Sequence, residues 1–284
     1  SVLNISDYVA WGDPSNADFT IDPGMWVLDN YGTKLIALIY NSFCFEWDAS
    51  LANATSIRAT LLANAPTASR HVLVSTPDRH LVFFGTETTV GNTATQDNMF
   101  IRFSDQENIS DYTATSVNTA GSLRLDSGVK IVGAAKGKDY ILILTDTSAY
   151  IMQFVGPPFT FSIRQVGSNC GAIGQHSIKY VNGKVFWMGQ AGGFFVYDGT
   201  VKSLPCLVED FVFTFTGNNL VTDNIGINYS NGEQVYAGLN HLYEEITWFY
   251  PKNGSDEVDR QVTYNYAENT WHTGSLARTS WADS

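Results

Sequence analysis

The strongest constraint on the fold of this chain is a pattern that returns after about 105 positions. Residues 4–10 read NISDYVA, and residues 108–114 read NISDYTA. The similarity continues downstream, where DPG at 22–24 corresponds to DSG at 126–128. A repeat of this length limits the architecture before any single motif is weighed. The sequence therefore predicts an internal duplication.

The two copies cover approximately 4–105 and 108–205, and each contains two apolar hairpins. The four hairpins lie near Leu35, Leu81, Tyr140 and Val185. Their spacing of roughly 45 to 60 residues is that of the four-stranded blades of a β-propeller. We therefore predict an all-β fold, a β-propeller of about five to six blades built from a duplicated two-blade unit of about 105 residues. Residues 1–284 would form a single domain, with 206–284 supplying the last blade or blades.

Short runs rich in Val, Ile, Phe and Tyr alternate with clusters of Gly, Asn and Asp, which is typical of many short strands joined by turns. Most predicted strands are apolar on both faces, as expected for blades that lie between two neighbours. The segment 204–215, LPCLVEDFVFTF, fits a short helix or a strand. The segment 156–159, GPPF, should break any strand, and we expect it to mark a junction between blades.

The net charge of the chain argues against a protein that binds nucleic acid through its phosphates. The formal net charge is −12, and no two Lys or Arg residues are adjacent. Binding to phosphates requires a clustered basic surface. The negative charge has two interpretations: it keeps the protein soluble, or it lets DNA slide through a tube without sticking.

No segment carries a targeting or membrane signal. The longest apolar runs, such as 35–40, are too short for a membrane span of about 20 residues. The first residue, Ser1, is expected to be either an internal position of a longer polypeptide, of which this chain is a fragment, or the residue exposed when methionine is removed.

The sequence offers no candidate catalytic, cofactor-binding or metal-binding residue. The segment 133–139, GAAKGKD, lacks the spacing of a phosphate-binding loop and is predicted to be a hairpin turn. The five histidines form no metal-binding motif, and packing or turn bonding is expected for the corresponding pair His71 and His176. The three cysteines show no CxxC spacing, which argues against a zinc site or a disulfide framework.

Two acidic segments have competing interpretations. The segment 103–113, FSDQENISDYT, could supply the paired carboxylates of a glycosidase. We favour a blade-edge turn for NISDY, in which Ser or Asp bonds local backbone and Tyr packs inward. The segment 253–259, NGSDEVD, could bind calcium, but its order of residues does not match an EF-hand, and a solvated loop is the preferred interpretation.

Most of residues 19–284 resembles a family of tailed-bacteriophage virion proteins. The most specific stretch is 141–199, which contains ILILTDTSAYIMQFVGPPFTFSIRQVGSNCGAIG and GKVFWMGQAGGFFVYDG. The chain resembles the tail nozzle, or packaged-DNA stabilisation, proteins of short-tailed phages. The resemblance implies a propeller carrying extra β domains, assembled as a ring around the DNA channel, with no catalytic residues. Members of that family are usually longer.

The sequence thus predicts a structural component of a phage tail and not an enzyme. It would be a nozzle-like ring protein that lines or extends the DNA channel below the portal and adaptor. Its expected location is the virion, after assembly in the bacterial cytoplasm. Its expected partners are other tail proteins, head–tail connector proteins and further copies of itself. The copies are expected to form a homo-oligomeric ring, a hexamer. Double-stranded DNA would pass without specific binding, and no cofactor, metal or membrane insertion is expected.

Two alternatives remain open from the sequence. One is a propeller of a tail tip or baseplate that binds host surfaces or carbohydrate through exposed Trp and Tyr side chains. The other is a glycoside hydrolase, which requires two carboxylates about 5 to 10 Å apart in one pocket.

Overall fold

The computed structural model describes residues 25–76, 78–213, 226–278 and 280–283. The predicted first copy of the NISDY segment, at 4–10, lies outside these residues.

The described residues form five antiparallel sheets of four strands each. Blade 1 contains β1 (Trp26–Tyr31), β2 (Lys34–Ile39), β3 (Cys44–Asp48) and β4 (Thr60–Leu61). Blade 2 contains β5 (His71–Val74), β6 (Leu81–Phe84), β7 (Phe100–Phe103) and β8 (Gly121–Arg124). Blade 3 contains β9 (Ile131–Lys136), β10 (Ile141–Thr145), β11 (Ser148–Gly156) and β12 (Thr160–Ser168). Blade 4 contains β13 (Ile178–Val181), β14 (Lys184–Met188), β15 (Phe194–Tyr197) and β16 (Val201–Leu204). Blade 5 contains β17 (Tyr236–Asn240), β18 (Glu245–Tyr250), β19 (Arg260–Asn265) and β20 (Thr270–Ser275).

The first strand of each blade lies beside the first strand of the next. β1 lies against β5, β5 against β9, β9 against β13, and β13 against β17. Within each blade the strands follow one another in chain order, with each strand hydrogen-bonded to the next. The chain is therefore a five-bladed β-propeller, and the first strands surround its axis.

The predicted two-blade unit is not what the structure shows. The predicted boundary between the copies, at 105–108, falls inside blade 2 between β7 and β8. The described residues of 206–284 supply one four-stranded blade, blade 5. The repeating unit of the structure is the single blade, because one sheet with two apolar faces is the smallest element that stacks on its neighbours.

Strands apolar on both faces pack between two neighbours, as the sequence predicted. In β5, Val72 and Val74 belong to the cluster between blades 1 and 2, while Leu73 belongs to the cluster between blades 2 and 3. Two further clusters fill the interfaces of blades 3 and 4 and of blades 4 and 5. Within the described residues the core thus consists of four apolar layers, each lying between two sheets.

The GPPF segment was wrongly expected at a blade junction. It forms the turn between β11 and β12 inside blade 3. Pro157 and Pro158 lack an N–H, but at a hairpin tip no ladder hydrogen bond is required. By contrast, Asn182 and Gly183 form the predicted hairpin turn between β13 and β14, with φ values of 50° and 81°.

The ambiguous segment 204–215 contains a short helix, α1 (Glu209–Phe213). Its Val212 is fully buried in the cluster between blades 4 and 5. Among the described residues, no helix has both the length and the apolar character that a membrane span requires.

The Leu142→Ala substitution tests the core. Leu142 lies in β10 and is 0% exposed, so truncation should leave a cavity and lower the free energy of unfolding by about 2–5 kcal/mol. The matched Leu242→Ala substitution removes the same atoms from a side chain that is 78% exposed, and it should change stability by at most about 0.5 kcal/mol. Urea denaturation measures both. Equal effects would contradict the assignment of β10 to the core.

Candidate functional site

The first strands bring a group of charged side chains together at one end of the axis. Arg70 immediately precedes β5, Lys130 immediately precedes β9, and Glu233 lies in the 3₁₀ segment Tyr229–Gln234 before β17. The segments that enter the first strands of a propeller converge on its axis. Residues from blades 2, 3 and 5 therefore meet, although they are far apart in the sequence.

Glu233 is the shared acceptor of this axial cluster, which consists of Tyr40, Arg70, Lys130 and Glu233. Its Oε1 accepts from Lys130 Nζ at 2.8 Å and from Tyr40 OH at 3.4 Å, and it lies 3.8 Å from Arg70 Nη2. The guanidinium of Arg70 also contacts Tyr40 OH, and its Cζ lies 5.0 Å from the Tyr40 ring centroid. One carboxylate thus holds two cations from different blades.

A second ion pair crosses the axis further along the first strands. Lys136 Nζ, at the end of β9, donates to Asp29 Oδ1 of β1 at 2.6 Å. The other oxygen of Asp29 accepts from the backbone N–H of Val74 in β5 at 2.6 Å. Because blades 1 and 3 are not neighbours, this pair ties together sheets that share no apolar cluster.

Two histidines that correspond in the sequence lie near each other, with His71 buried and His176 exposed. His71 begins β5, and His176 lies in the 3₁₀ turn Gln175–Ser177 before β13. Burial and the neighbouring His176 lower the pKa of His71 to about 4, and partial desolvation together with the nearby Lys179 lowers the pKa of His176. Both rings are therefore neutral at pH 7. Gln175 Nε2 lies 3.2 Å from His176 Nε2 and orients that ring.

The space at the axis is small. The cavity lined by Met25, Tyr40, Arg70, Val132, Gln175 and Glu233 has a volume of about 10 Å³. A cavity of this size holds about one water molecule. The axial cluster is thus a set of internal contacts and not a pocket for an organic ligand.

The arrangement most similar to a catalytic site lies in blade 2. His80 Nδ1 is 2.7 Å from Asp78 Oδ2, and His80 Nε2 is 3.0 Å from Thr119 Oγ1. This order of carboxylate, imidazole and hydroxyl is the order of a nucleophile triad. Burial alone raises the pKa of Asp78, but its hydrogen bonds with His80 and Ser75 outweigh burial and lower it.

The remaining contacts of this trio indicate a structural network. Thr119 Oγ1 donates to Asp105 Oδ1 at 2.7 Å and accepts from the Gln106 N–H at 2.9 Å. The His80 side chain is 0% exposed. Its ring contacts three Phe rings, those of Phe103, Phe154 and Phe161. The hydroxyl is occupied and the base is closed off from solvent, so the trio connects the loops of blade 2.

The acidic side chains of the segment 103–113 bind separate partners. Asp105 bonds Thr119, Glu107 lies 3.1 Å from Arg79, and Asp111 Oδ2 accepts from Asn118 at 3.1 Å. Each of these carboxylates is therefore engaged in a hydrogen bond or ion pair with a neighbouring loop residue of blade 2.

The described NISDY segment, 108–114, is the turn that the sequence predicted. Tyr112 is 2% exposed, and its ring packs edge-on against Phe83 in blade 2. Asn108 and Asp111 accept from backbone N–H groups two residues ahead. Asn and Asp side chains favour such turns.

The other predicted motifs are also turns or isolated side chains. In 133–139, the Gly137 N–H donates to the Tyr140 carbonyl at 2.8 Å, which closes the hairpin between β9 and β10. Asp259 Oδ1 accepts from the Lys252 N–H at 2.9 Å, while Asp256 accepts from Asn231 at 3.2 Å. Among the described residues, no three His, Cys, Asp or Glu side chains could hold a metal ion.

The three cysteines, all of which the structure describes, are free thiols. Burial raises the pKa of Cys44 to about 12 and that of Cys170 and Cys206 to about 11. They are therefore protonated at neutral pH.

The sequence contained a signal for the axial cluster that motif searching missed. A charged residue stands just before three of the apolar first strands, in RHVLV at 70–74, KIVGAA at 130–135 and EQVYAG at 233–238. Only the spacing by blades connects them, since none belongs to a known chemical motif.

Comparison with known proteins identifies no family for this chain. No family model matches the chain, and no curated protein matches it. Among solved structures, Sqt1 of Saccharomyces cerevisiae has a TM-score of 0.49 and 6% identity, and the match covers 89% of this chain and 75% of that one. Hsv2 of Kluyveromyces lactis has a TM-score of 0.44 and 11% identity, with coverage of 89% and 63%.

Apocarotenoid oxygenase of Synechocystis has a TM-score of 0.43 and 13% identity, with coverage of 89% and 60%. The chain thus spans less than two thirds of the length of the Hsv2 and oxygenase chains. The neighbours are propellers, and none of these three is a phage tail protein. At such values the similarity carries no argument about function.

The His71→Leu substitution tests the buried histidine of this pair. Since the folded pKa of His71, about 4, lies below the unfolded value of about 6.5, the neutral ring contributes stability above pH 6.5. That contribution, up to about 3 kcal/mol, is lost as the pH falls from 6.5 towards 4. Denaturation midpoints at about pH 7.5 and about pH 4.5 should differ less in His71→Leu than in the wild type. His272→Gln, at an exposed position, should keep the wild-type difference.

The Glu233→Gln substitution tests the axial cluster. It removes the charge shared by Arg70 and Lys130 and should lower the free energy of unfolding by about 1–2 kcal/mol. The difference should shrink in high salt, since Glu233 is partly exposed and its charge is screened. Glu268→Gln, at an exposed position on blade 5, is the matched control. A Glu233→Gln variant as stable as this control would show that the cluster contributes nothing.

Proposed function

We propose that this protein is a structural subunit of a bacteriophage tail. In this proposal, copies of the propeller form a nozzle-like ring that lines or extends the DNA channel below the portal and adaptor. The protein carries no catalytic role in this assembly. Its partners are further copies of itself, other tail proteins and the head–tail connector.

The observation that carries the proposal is the closed, cross-tied axis. Lys130 and Glu233 connect blades 3 and 5, while Asp29 and Lys136 connect blades 1 and 3. Ion pairs between sheets that share no apolar cluster oppose sliding of one blade past another. A rigid disc of this kind is suited to form part of a wall under mechanical load.

The closed axis also determines where DNA would pass. A cavity of about 10 Å³ at the axis admits no nucleic acid. DNA would therefore run outside each propeller, through a channel surrounded by several copies. The net charge of −12 would repel the phosphates and let DNA slide without specific binding.

The sequence resemblance supports the same assignment. Its most specific part, 141–199, covers β10 to β15 in blades 3 and 4. These strands supply the fully buried Trp187 and Phe194. The resemblance thus concerns the residues that build two blade interfaces.

The tail proposal is tested by the location and assembly of the full chain. We expect light scattering and electron microscopy of the purified protein, or of particles that contain it, to reveal a ring, with a hexamer as the expected form. We also expect the chain to lie directly below the portal. Gel-shift assays with double-stranded DNA should show no stable complex at physiological salt. A chain located at the tail tip, or one that binds DNA firmly, would contradict the proposal.

One observation favours a second candidate function, binding of carbohydrate at a tail tip. A pocket of about 160 Å³ between blades 2 and 3 is lined by side chains that include Asp139, Tyr140 and Gln153. Aromatic, amide and carboxylate groups are suited to sugar hydroxyls, although the pocket is smaller than the roughly 300 Å³ of ordinary ligand sites. Glycan-panel binding that Gln153→Ala abolishes and the exposed-site control Gln106→Ala preserves would favour this candidate.

A further inference from the structure

One face of blade 1 is apolar and exposed. The other face, with Ile36 and Leu38, is buried in the cluster with blade 2. Strand register places four apolar side chains side by side across all four strands of the exposed face. We call them the blade 1 row: Leu28, Ala37, Phe45 and Leu61. Leu28 is 60% exposed and Leu61 is 57% exposed, while the small Ala37 between Leu28 and Phe45 is 8% exposed.

Trp26 extends this surface. It lies two residues before Leu28 on β1 and is 47% exposed. Its ring centroid is 6.4 Å from that of Phe45. Large apolar side chains grouped on one sheet face are typical of a surface that something covers.

The same face is buried in blade 3. The pairing of second and third strands makes Ala37 and Phe45 of blade 1 equivalent to Ile143 and Tyr150 of blade 3. Ile143 is 0% exposed and Tyr150 is 3% exposed, because both pack against blade 2. The blade 1 row therefore has the composition of a blade interface without the neighbouring element.

Chain segments that pass from one blade to the next help to fill the interfaces. The residues that follow the outer strands of blades 1 to 4 each join the cluster with the next blade; they are Leu62, Leu125, Cys170 and Cys206. Each lies between the outer strand of one blade and the first strand of the next. The chain that leads into β1 of blade 1 is the segment 1–24.

The sequence of this segment matches the one that leads into blade 3. FTIDPG at 19–24 corresponds to LRLDSG at 123–128, which aligns Phe19 with Leu123 and Ile21 with Leu125. Leu125 is 2% exposed in the cluster between blades 2 and 3, and Leu123 packs against that cluster. The segment ends beside Trp26, so its apolar residues are within reach of the row.

We propose that residues 1–24 dock on the blade 1 row, with Phe19 and Ile21 as the anchoring side chains. The segment leads into blade 1 and corresponds in sequence to residues 123–128, which lead into blade 3. It covers the apolar face that blade 1 turns away from blade 2. The row is then an intramolecular interface and not a site for a second copy of the chain or another protein.

A double-mutant cycle on the full chain tests the contact. Phe19→Ala and Leu28→Ala should each lower the urea midpoint. The double variant should lose less than the sum of the two, because the second truncation removes a contact that is already lost. Leu207 is 95% exposed and belongs to the connection after blade 4, so the Phe19→Ala and Leu207→Ala effects should add. Additive effects of Phe19→Ala and Leu28→Ala would overturn the proposal.

Proteolysis and hydrogen exchange provide a second readout that does not depend on how the variants change the stability of the core. Chymotrypsin cleavage after Phe19 should be slow in the wild type and roughly tenfold faster in Leu28→Asp, where a charge lies on the row. Leu207→Asp should cleave at the wild-type rate. Exchange of the amides in β1 should not depend on protein concentration. Protection of β1 that rises with concentration would identify a second copy as the occupant and would also overturn the proposal.

Discussion

The burial of both faces of the sheets in blades 2 to 4 is the constraint on which this structure depends. Strands such as β10, fully buried along its length, cannot belong to a sheet with one face in water. A sheet of this kind must therefore lie between two others, as blades 2 to 4 do, and sheets stacked with their twist curve around an axis. The four apolar clusters are the direct result, and they position every other feature.

The first strands converge on an axis and bring charged side chains together there. Shared ion pairs compensate for the hydration that these side chains lose. Charged residues before three first strands are brought close together, and a lone cation or carboxylate there would lose hydration without compensation. Glu233 forms ion pairs with both Arg70 and Lys130. Asp29 forms an ion pair with Lys136 and accepts a hydrogen bond from the Val74 N–H. The axis is thus closed by polar contacts, which supports a mechanical role for the disc rather than passage through its centre.

Structures of this kind easily produce arrangements that imitate catalytic sites. The Asp78, His80 and Thr119 trio has the distances of a triad, yet the threonine hydroxyl donates to Asp105 and the imidazole is closed in by aromatic rings. Distances alone do not define a nucleophile; its hydroxyl must be free and the base must be accessible. The same hydrogen bonds that orient the trio make it suited to hold loops together.

The sequence predicted the class of fold, the approximate number of blades and the nature of several turns, because these depend on local pattern. Alternating apolar runs, the Asn182-Gly183 turn and the inward Tyr112 each follow from a few neighbouring residues. The same local reasoning misplaced GPPF, since proline excludes a ladder position but does not distinguish a hairpin tip from a junction.

What only the tertiary structure decided is which distant residues meet. The axial cluster joins Arg70, Lys130 and Glu233 across three blades, and no local pattern encodes that contact because it depends on how the sheets rotate around the axis. The repeat in the sequence also suggested a two-blade unit, whereas packing shows the single blade as the repeating element. The periodicity of the sequence determines which side chains each sheet buries. The arrangement of the sheets around the axis determines which charged side chains meet.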